Sequence, residues 1–181
     1  LWLQTGACGG DTMSLLTADS PSIETLVRNG TLDILWHPSL TEAPPGGLGA
    51  LIAEIEAGTR PLDILCIEGS LIPGPLGTGM FDSYRGRPTI QIAEALARRA
   101  RHVVAVGTCA AFGGVPAAPP NPTDCTGLQF DRETPGGLLP PDTHRPMLAW
   151  IAALNGPLLP LLALLGDRRA NGVLGFLAAT T

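Results

Sequence analysis

The chain has 181 residues, of which 45% are hydrophobic and 15% are charged, and a formal net charge of −5. This length suits one domain with a sizeable buried core. Every basic residue is an arginine, and the densest basic cluster is formed by Arg98, Arg99 and Arg101. An acidic chain with so small a basic cluster lacks the electrostatic footprint of nucleic-acid-binding proteins, so nucleic acid is not expected as a partner.

The cysteines are isolated in the sequence, with no Cys-x-x-Cys pair among Cys8, Cys66, Cys109 and Cys125. Such spacing is unlike that of a small secreted disulfide scaffold. The sequence also contains no signal peptide or twin-arginine motif, although its start at Leu1 leaves room for a removed leader. We therefore expect a cytoplasmic protein, with membrane association left open.

Taken in chain order, apolar strand patterns alternate with helical ones. The predicted elements are a strand over 1–5, a helix from 12–18 that Pro21 interrupts and 23–29 continues, a strand over 32–38, a helix over 48–58, a strand over 62–69, a helix over 90–100 and a strand over 102–108. Gly58 is the predicted stop of its helix. The stretches 70–88 and 113–146 are rich in Gly and Pro and are predicted as loops.

This alternation indicates a fold class. Strands that alternate with helices predict a parallel sheet with helices on its faces. The strand segments are near-continuous apolar runs, as is typical of strands buried on both sides. We predict an α/β fold in which a single domain forms a flavodoxin-like, doubly wound parallel sheet, followed by an irregular apolar C-terminal segment.

Residues 147–165 are apolar over a length that is sufficient for a membrane span. Four residues interrupt this stretch, namely Asn155, Gly156, Pro157 and Pro160. We therefore predict a kinked core helix or interfacial helix here in place of a membrane span.

Chemically reactive side chains follow each predicted strand. The strand over 1–5 runs into Cys8 and Asp11, and the later strands run into His37, Glu68 and Cys109. Ligands in open parallel sheets bind outside the carboxyl ends of the strands. We therefore expect these side chains at one edge of the sheet.

Three of the edge residues can be read as ligands or as structural residues. Cys8 lies in a Gly-rich turn whose amides can donate to a thiolate or a cluster sulfide, but a cysteine at a strand end is also often structural. Asp11, just before TMSLL, is either a ligand or a helix N-cap. Cys109 in GTCAAFGG has a similar setting to Cys8, which favours shared ligation.

The other two edge residues are titratable groups with open roles. Glu68 ends an apolar strand beside Gly69, where a carboxylate needs partners, and it is either a buried loop anchor or a proton carrier. His37 precedes Pro38 and either hydrogen-bonds a loop or relays a proton.

The remaining cysteines give weaker signals. Cys66 sits inside a predicted strand and is expected in the core. Cys125 lies in the loop NPTDCTGLQF, and its spacing from Cys109 is not diagnostic. No phosphate-binding glycine motif and no Ser/His/Asp pattern occurs in a supporting context.

Four longer stretches carry a family resemblance. They are LWLQTGACGGDTMSLL, LDILWHPSL, LDILCIEGSLIPGPLGTG and HVVAVGTCAAFGGVPAAPPNPTDCTGLQF. From residue 1 to about residue 138, and in this order, they resemble the small, electron-transferring subunit of nickel–iron hydrogenases. The string GTCAAFGGVPAAPPNPT is the most specific part of the match.

The resemblance implies a cofactor and its ligands. A flavodoxin-like domain over 1–138 would hold a four-iron four-sulfur cluster, called proximal, that faces the nickel–iron centre of a large subunit. Cys8 and Cys109 match two cluster ligands. Asp11 stands where most members have the second cysteine of a Cys-x-x-Cys motif. The actinobacterial-type uptake hydrogenases are similar in using three cysteines and one aspartate, so Asp11 resembles a substituted ligand.

The resemblance also implies a role within a complex. The large subunit would split H2, and the proximal cluster on this chain would take up the electrons. The chain alone is not expected to be active, it carries no catalytic residue, and the electron acceptor is unidentified. Glu68 and His37 would lie at the subunit interface or on a proton path.

Two departures from the family pattern affect the C-terminal part. The family's fourth proximal ligand comes from a Gly-Cys-Pro motif after the GLQF loop, and this sequence has none. The family's C-terminal domain with two further clusters is also absent. We expect a truncation or a reading-frame slip near residue 140, which would make 139–181 an unmatched apolar tail. Cys125 is a weak candidate for the fourth ligand.

Two other functions stay open at this point. The chain could be a cluster-free subunit that only binds the large subunit, or a flavodoxin-like module that binds flavin. Cys8 and Asp11 occupy the first loop, where a phosphate cradle would favour hydroxyls and amides, and this argues against flavin.

Overall fold

The elements of the fold are taken from a computed structural model, which describes residues 1–128, 130–132, 134–138 and 147–150. The helices are α1 (Gly10–Leu16), α2 (Ile23–Arg28), α3 (Gly47–Ala57), α4 (Thr89–Arg99) and α5 (Gly107–Phe112), with a 3-10 turn at Val115–Ala117. The strands are β1 (Trp2–Gln4), β2 (Ile64–Glu68), β3 (Ser83–Tyr84), β4 (Arg87–Pro88), β5 (His102–Val106), β6 (Phe130–Asp131), β7 (Thr134–Pro135) and β8 (Met147–Trp150).

A four-stranded sheet in the order β1-β2-β5-β8 organises these elements. All three pairings are parallel, and in the register Cys66 of β2 lies opposite both Trp2 and Val104. Two short antiparallel pairs, β3 with β4 and β6 with β7, lie outside the sheet. Because the large sheet is parallel, the carboxyl ends of its strands meet at one edge.

Helices pack on both faces of the sheet. One core cluster joins α3 and α4 to Leu65 and Ile67 of β2. A second cluster joins Leu15 of α1 and Leu26 of α2 to Val104 of β5. Successive strand side chains point to opposite faces, so the central strands supply both clusters. The predicted α/β class with a parallel sheet is confirmed.

Local signals account for several helix ends. The Ser22 hydroxyl accepts a hydrogen bond from the Thr25 amide and caps α2. Helix α3 ends at Gly58, which has a φ of 80° as a left-handed C-cap. The predicted helix stop at Gly58 is therefore confirmed.

The predicted strand over 32–38 is wrong. These residues carry no strand, although the Trp36 carbonyl still accepts a hydrogen bond from the Trp2 amide at 2.8 Å. The reason is a local turn, in which His37 Nδ1 accepts from the Ser39 amide and Thr41 Oγ1 accepts from the His37 amide. Side chains that bond nearby backbone groups compete with a strand ladder.

Further segments differ from the prediction. The predicted loops over 70–88 and 113–146 contain the short antiparallel pairs β3–β4 and β6–β7. The predicted strand over 102–108 stops at Val106, because Gly107 turns the chain with a φ of 78° and α5 begins there. Residues 147–150 form strand β8 in place of the start of a helix, because their backbone pairs with β5. The rest of that predicted helix, 151–165, lies outside the described residues. Within the described part of the chain, no helix is long and apolar enough to cross a membrane.

Gly69 is the position where the fold most clearly needs a glycine. Its φ is 95°, and a Cβ there would lie 2.5 Å from the Ala7 backbone nitrogen. The loops after β1 and β2 can approach this closely only because the side chain is missing.

Gly69→Ala is therefore expected to lower the free energy of unfolding by about 3 kcal/mol, from backbone strain and a backbone clash. Chemical denaturation measures the loss. Gly77→Ala is the matched control, since Gly77 has a φ of 75° and a Cβ added there would meet nothing within 4 Å. The control should lose only about 1 kcal/mol, and equal losses in the two variants would contradict the close approach.

Candidate functional site

The loops that follow β1, β2 and β5 meet at the carboxyl edge of the sheet. The Gly6 amide donates to the Ser70 carbonyl at 2.9 Å, and the Thr5 amide donates to the Glu68 carbonyl at 2.9 Å. These bonds join the loop that carries Cys8 and Asp11 to the end of β2. The sequence therefore places these loops correctly at one edge.

Asp11 reaches across the edge to the end of β5. A Cβ on Gly107 would collide with the Asp11 carboxylate, so the carboxylate lies against the Gly107 backbone. Gly107 begins α5, and Cys109 follows in its first turn. The N-cap interpretation of Asp11 is wrong, because Gly9 holds that position in α1 and Asp11 lies one residue inside the helix.

The two predicted cysteine ligands also lie against glycines. A Cβ on Gly10 would lie 3.2 Å from Cys8 Sγ, and one on Gly114 would lie 2.6 Å from Cys109 Sγ. Cys8 is exposed, whereas Cys109 is half-buried. Glycines therefore leave open the space around both thiols and the Asp11 carboxylate.

The electrostatics of the edge disfavour negative charge in the absence of a cation. Burial, together with the nearby Glu68, raises the pKa of Asp11 to about 6. Burial also raises the pKa of Cys109, as do Cys8, Asp11 and Cys125, against a hydrogen bond from the Val115 amide. No ion pair among the described residues involves Asp11 or Glu68. A cationic group would relieve this arrangement.

Glu68 is almost fully buried, with 1% of its surface exposed, and is densely hydrogen-bonded. Its Oε2 accepts from Trp2 Nε1 and Gln4 Nε2 at 2.9 Å each and from Thr12 Oγ1 at 2.5 Å. Its Oε1 accepts from the Thr12 amide at 3.2 Å. Burial opposes ionisation, but these bonds outweigh it and hold the pKa below its usual value.

The partners of Glu68 were not found by sequence reasoning. Trp2 and Gln4 lie two positions apart on β1, and Thr12 lies in the first turn of α1. Nothing in their local sequence marks them as partners of a carboxylate. The parallel pairing of β1 with β2 brings Trp2 and Gln4 to Glu68, and the packing of α1 on the sheet brings Thr12 there.

His37 follows no strand, contrary to the prediction, and its described side-chain contacts are with Trp2 of β1 and the Ser39 amide of its own turn. Its ring contacts the Trp2 ring with the centroids 5.1 Å apart, and Nε2 is buried with no hydrogen-bond partner among the described residues. Burial lowers its pKa, against the attraction of Glu68. His37 is thus linked to Glu68 through Trp2.

The other two cysteines occupy different environments. Cys66 lies on β2, where burial raises its pKa to about 11, so it stays a neutral thiol. Cys125 is buried in the loop after α5, with Sγ 2.9 Å from Thr123 Oγ1. Asn121 fixes this loop, since its side chain donates to the Cys125 carbonyl and accepts from the Cys125 amide.

No three His, Cys, Asp or Glu side chains in the described ranges converge closely enough to hold a single metal ion. The arrangement therefore differs from a mononuclear site. An iron–sulfur cluster needs no such convergence, because each protein ligand binds a different iron.

Comparison with known proteins identifies relatives of one kind. The chain is 32% identical over 128 residues to the periplasmic [NiFe] hydrogenase small subunit 1 of Nitratidesulfovibrio vulgaris (strain Hildenborough), a match that covers 71% of this chain and 39% of the relative. It is 31% identical over 134 residues to the hydrogenase-2 small chain of Escherichia coli (strain K12), covering 71% and 34%. The chain thus spans well under half the length of these relatives.

Solved structures agree with these relatives. An actinobacterial-type NiFe-hydrogenase from Ralstonia eutropha H16 matches with a TM-score of 0.67 and 25% identity, covering 100% of this chain and 54% of that one. The Ni-Fe-Se hydrogenase of Desulfomicrobium baculatum matches in fold, with a TM-score of 0.67 at 23% identity over 83% of this chain and 54% of that one. The resemblance to nickel–iron hydrogenase small subunits is confirmed.

A family match covers most of the chain. Residues 8–151 match the family described as NADH ubiquinone oxidoreductase, 20 Kd subunit. This range contains Cys8, Asp11 and Cys109, together with every strand of the parallel sheet except β1. The chain therefore belongs to the NADH ubiquinone oxidoreductase 20 Kd subunit family.

Proposed function

We propose that this chain is the electron-transferring small subunit of a nickel–iron uptake hydrogenase, and that it holds a proximal four-iron four-sulfur cluster. Cys8, Asp11 and Cys109 are the proposed ligands. The observation that carries the proposal is the packing of the Asp11 carboxylate on Gly107, two residues before Cys109. It brings two sequence-distant ligand segments to one edge. The names of the relatives supply the reaction class.

The residues present fit such a cluster in their chemistry. Thiolates are the usual ligands of iron–sulfur clusters, and a carboxylate oxygen can bind iron as a harder ligand. Burial is the main cause of the raised pKa values of Asp11 and Cys109, and the acidic groups nearby add to it. Bound iron would favour their ionised forms.

The chain's own residues have three tasks in this proposal. When bound, the cluster would supply one-electron chemistry. Cys8 and Cys109 would hold it through sulfur, and the Val115 amide, which hydrogen-bonds Cys109, would stabilise the thiolate. The glycines beside the ligands keep Cβ atoms out of the cluster volume.

The same edge is the proposed contact with the large subunit, which would carry the nickel–iron centre and bind H2. Electron transfer requires the two centres to lie close together. Four large apolar side chains in the loops beyond β2 and β5 are exposed: Leu76, Met80, Phe81 and Val115. Exposed apolar patches mark protein–protein contacts, so we expect the chain to be poorly soluble alone.

The fourth iron has no assigned ligand. Strand β8 ends at Trp150, and the sequence continues as IAAL, which offers no iron ligand. Cys125 is a further described thiol, and it lies close enough to Cys109 to raise its pKa. It is the residue to exchange when the fourth ligand is sought.

Two finer features belong to the same proposal. The arrangement of the parallel sheet with helices on both faces is proposed to be flavodoxin-like and doubly wound, in one domain over 1–138. The proposed location is cytoplasmic, although one relative is named as periplasmic.

The decisive experiment is anaerobic purification of the chain with iron and acid-labile sulfide counts and EPR before and after dithionite. About four irons and four sulfides per chain, with a signal that appears on reduction, would support the proposal. A chain without iron after reconstitution would refute the cluster and leave a subunit that only binds its partner. A yellow, iron-free protein would instead support flavin binding.

Asp11→Cys is expected to strengthen the cluster's attachment. A thiolate binds iron more covalently than a carboxylate, so iron should be lost several-fold more slowly to a chelator and the EPR signal should change. Asp19→Cys is the control, because Asp19 is an exposed acid beyond the end of α1. An unchanged spectrum and an unchanged rate of iron loss would show that Asp11 is not a ligand.

A further inference from the structure

We propose that Glu68 is a positioning residue that fixes the first turn of α1 and thereby holds Asp11 in place across from Cys109. This inference rests on the proposed function, because it gives Asp11 its meaning as a ligand. It assigns Glu68 a role that is neither proton transfer nor iron binding. The geometry that supports it lies in the cluster-free chain.

Both carboxylate oxygens of Glu68 accept hydrogen bonds from Thr12. One carboxylate oxygen accepts from the Thr12 hydroxyl at 2.5 Å, and the other accepts from the Thr12 amide at 3.2 Å. Both the side chain and the backbone of Thr12 are therefore held. Thr12 directly follows Asp11, so the Asp11 Cα is one peptide unit away from a fixed point.

Glu68 is itself held by the sheet. It ends β2, the strand that pairs with both β1 and β5. Trp2 and Gln4 of β1 add hydrogen bonds to its Oε2 at 2.9 Å. The carboxylate is therefore part of the rigid sheet edge, and it transmits that position to α1.

A helix of seven residues needs such an external anchor. Helix α1 spans only Gly10–Leu16, and its N-cap residue, Gly9, has no side chain with which to cap it. Isolated helices this short are unstable, and tertiary contacts decide their position. Hydrogen bonds to an ionised acceptor are stronger than those to a neutral one, which suits a carboxylate for this task.

The charge of Glu68 is explained by the hydrogen bonds that its carboxylate accepts and not by an electrostatic effect on Asp11. Glu68 opposes ionisation of Asp11, so it does not favour that ligand through charge. All its described hydrogen-bond donors are neutral groups, from Trp2, Gln4 and Thr12. What remains for the carboxylate is to hold these three groups together.

The test uses Thr12→Val in the full chain, with Thr12→Ser to restore the hydroxyl. Losing one hydrogen bond worth about 1 kcal/mol should speed amide hydrogen exchange at residues 11–13 of the cluster-free chain about fivefold. In the reconstituted chain the EPR signal should change with Thr12→Val and recover with Thr12→Ser. Glu68→Gln keeps the shape, weakens all four bonds and should act in the same direction.

Thr17→Val is the matched control. It makes the same substitution at the C-cap of α1 and removes a hydrogen bond to the Ser14 carbonyl without touching Glu68, so it should leave the exchange at residues 11–13 nearly unchanged. Unchanged exchange in both Thr12→Val and Glu68→Gln would overturn the proposal, whatever the spectra do. The exchange is measured without iron, so a wild-type chain that binds no iron would refute the cluster and still leave the positioning role decided by exchange.

Discussion

Cys109→Ala is expected to leave a folded chain that no longer retains iron. Cys109 supplies one of three proposed protein ligands and sits in the first turn of α5, behind a glycine turn that its replacement does not disturb. Removing a thiolate from a cluster already short of one ligand should reduce iron from about four per chain to below one. Iron and sulfide counts after anaerobic reconstitution measure the loss, and circular dichroism checks the fold.

Two other cysteines serve as comparisons. Cys66→Ala should keep its iron, because Cys66 is held as a neutral thiol by burial, with a pKa of about 11. Cys125→Ser tests whether Cys125 is the fourth ligand or only a residue of the loop. Loss of iron in this variant would identify Cys125 as the fourth ligand. Full iron retention in Cys109→Ala would show that Cys109 is not a ligand and would contradict the proposal.

Asp11→Asn is expected to stabilise the cluster-free chain at neutral pH. The ionised Asp11 carboxylate is partly buried and faces the charge of Glu68, with the Cys8 and Cys109 thiols nearby. An amide of the same shape removes this cost. After allowing for solvent screening, we expect a gain of about 1–2 kcal/mol, which raises Tm by about 2–8 °C in a chain of this size.

The effect should depend on pH in one direction. Asp11 has a pKa of about 6 in the folded chain against an ordinary value of 3.8, so the folded state binds the proton more tightly. The contribution of Asp11 to the stability of the wild type therefore falls as pH rises from about 4 to about 6, and it stays reduced above that. The advantage of Asp11→Asn should be full at pH 7 to 8 and vanish near pH 3.5.

Thermal unfolding of both chains across this range, in the presence of a chelator, measures the difference. Ser14→Ala on the same helix controls for a general change in α1, since Ser14 does not contact Glu68 through any described hydrogen bond. An equal gain at pH 4 and pH 8 would contradict a raised Asp11 pKa. A gain at neutral pH, combined with loss of iron, would mean that Asp11 is kept for binding at the expense of stability.

The sequence predicts the sheet edge well because the rule for it is topological. Three buried apolar runs become β1, β2 and β5, and each is followed by a residue of the candidate site. A parallel sheet brings strand ends together whatever the details of packing. Cys8, Asp11, Glu68 and Cys109 could therefore be expected at one edge without coordinates, whereas His37, which was expected there too, follows no strand.

Other features depend on contacts that no local pattern reveals. The segment 32–38 reads as a strand, but turn bonds around His37 and Thr41 replace the ladder. The role of Glu68 depends on Thr12, which lies 56 residues earlier in the chain. The short helix α5 consists mostly of small residues that show no helical pattern, and only Gly107 indicates where it begins.

The residues that contact one another at the sheet edge are far apart in the sequence, and this determines when the edge can form. Glu68 bonds residues 56 to 66 positions before it, and Asp11 packs on Gly107. Contacts this distant require large loops to close, which slows folding and means that the edge can form only after the segment up to Gly107 has been synthesised. A nascent chain that does not yet extend to Gly107 and Cys109 contains Cys8 and Asp11 without the segment that Asp11 packs on. The proposed cluster would therefore find its ligand segments together only after these loops have closed, and the cysteines would have to stay reduced until then.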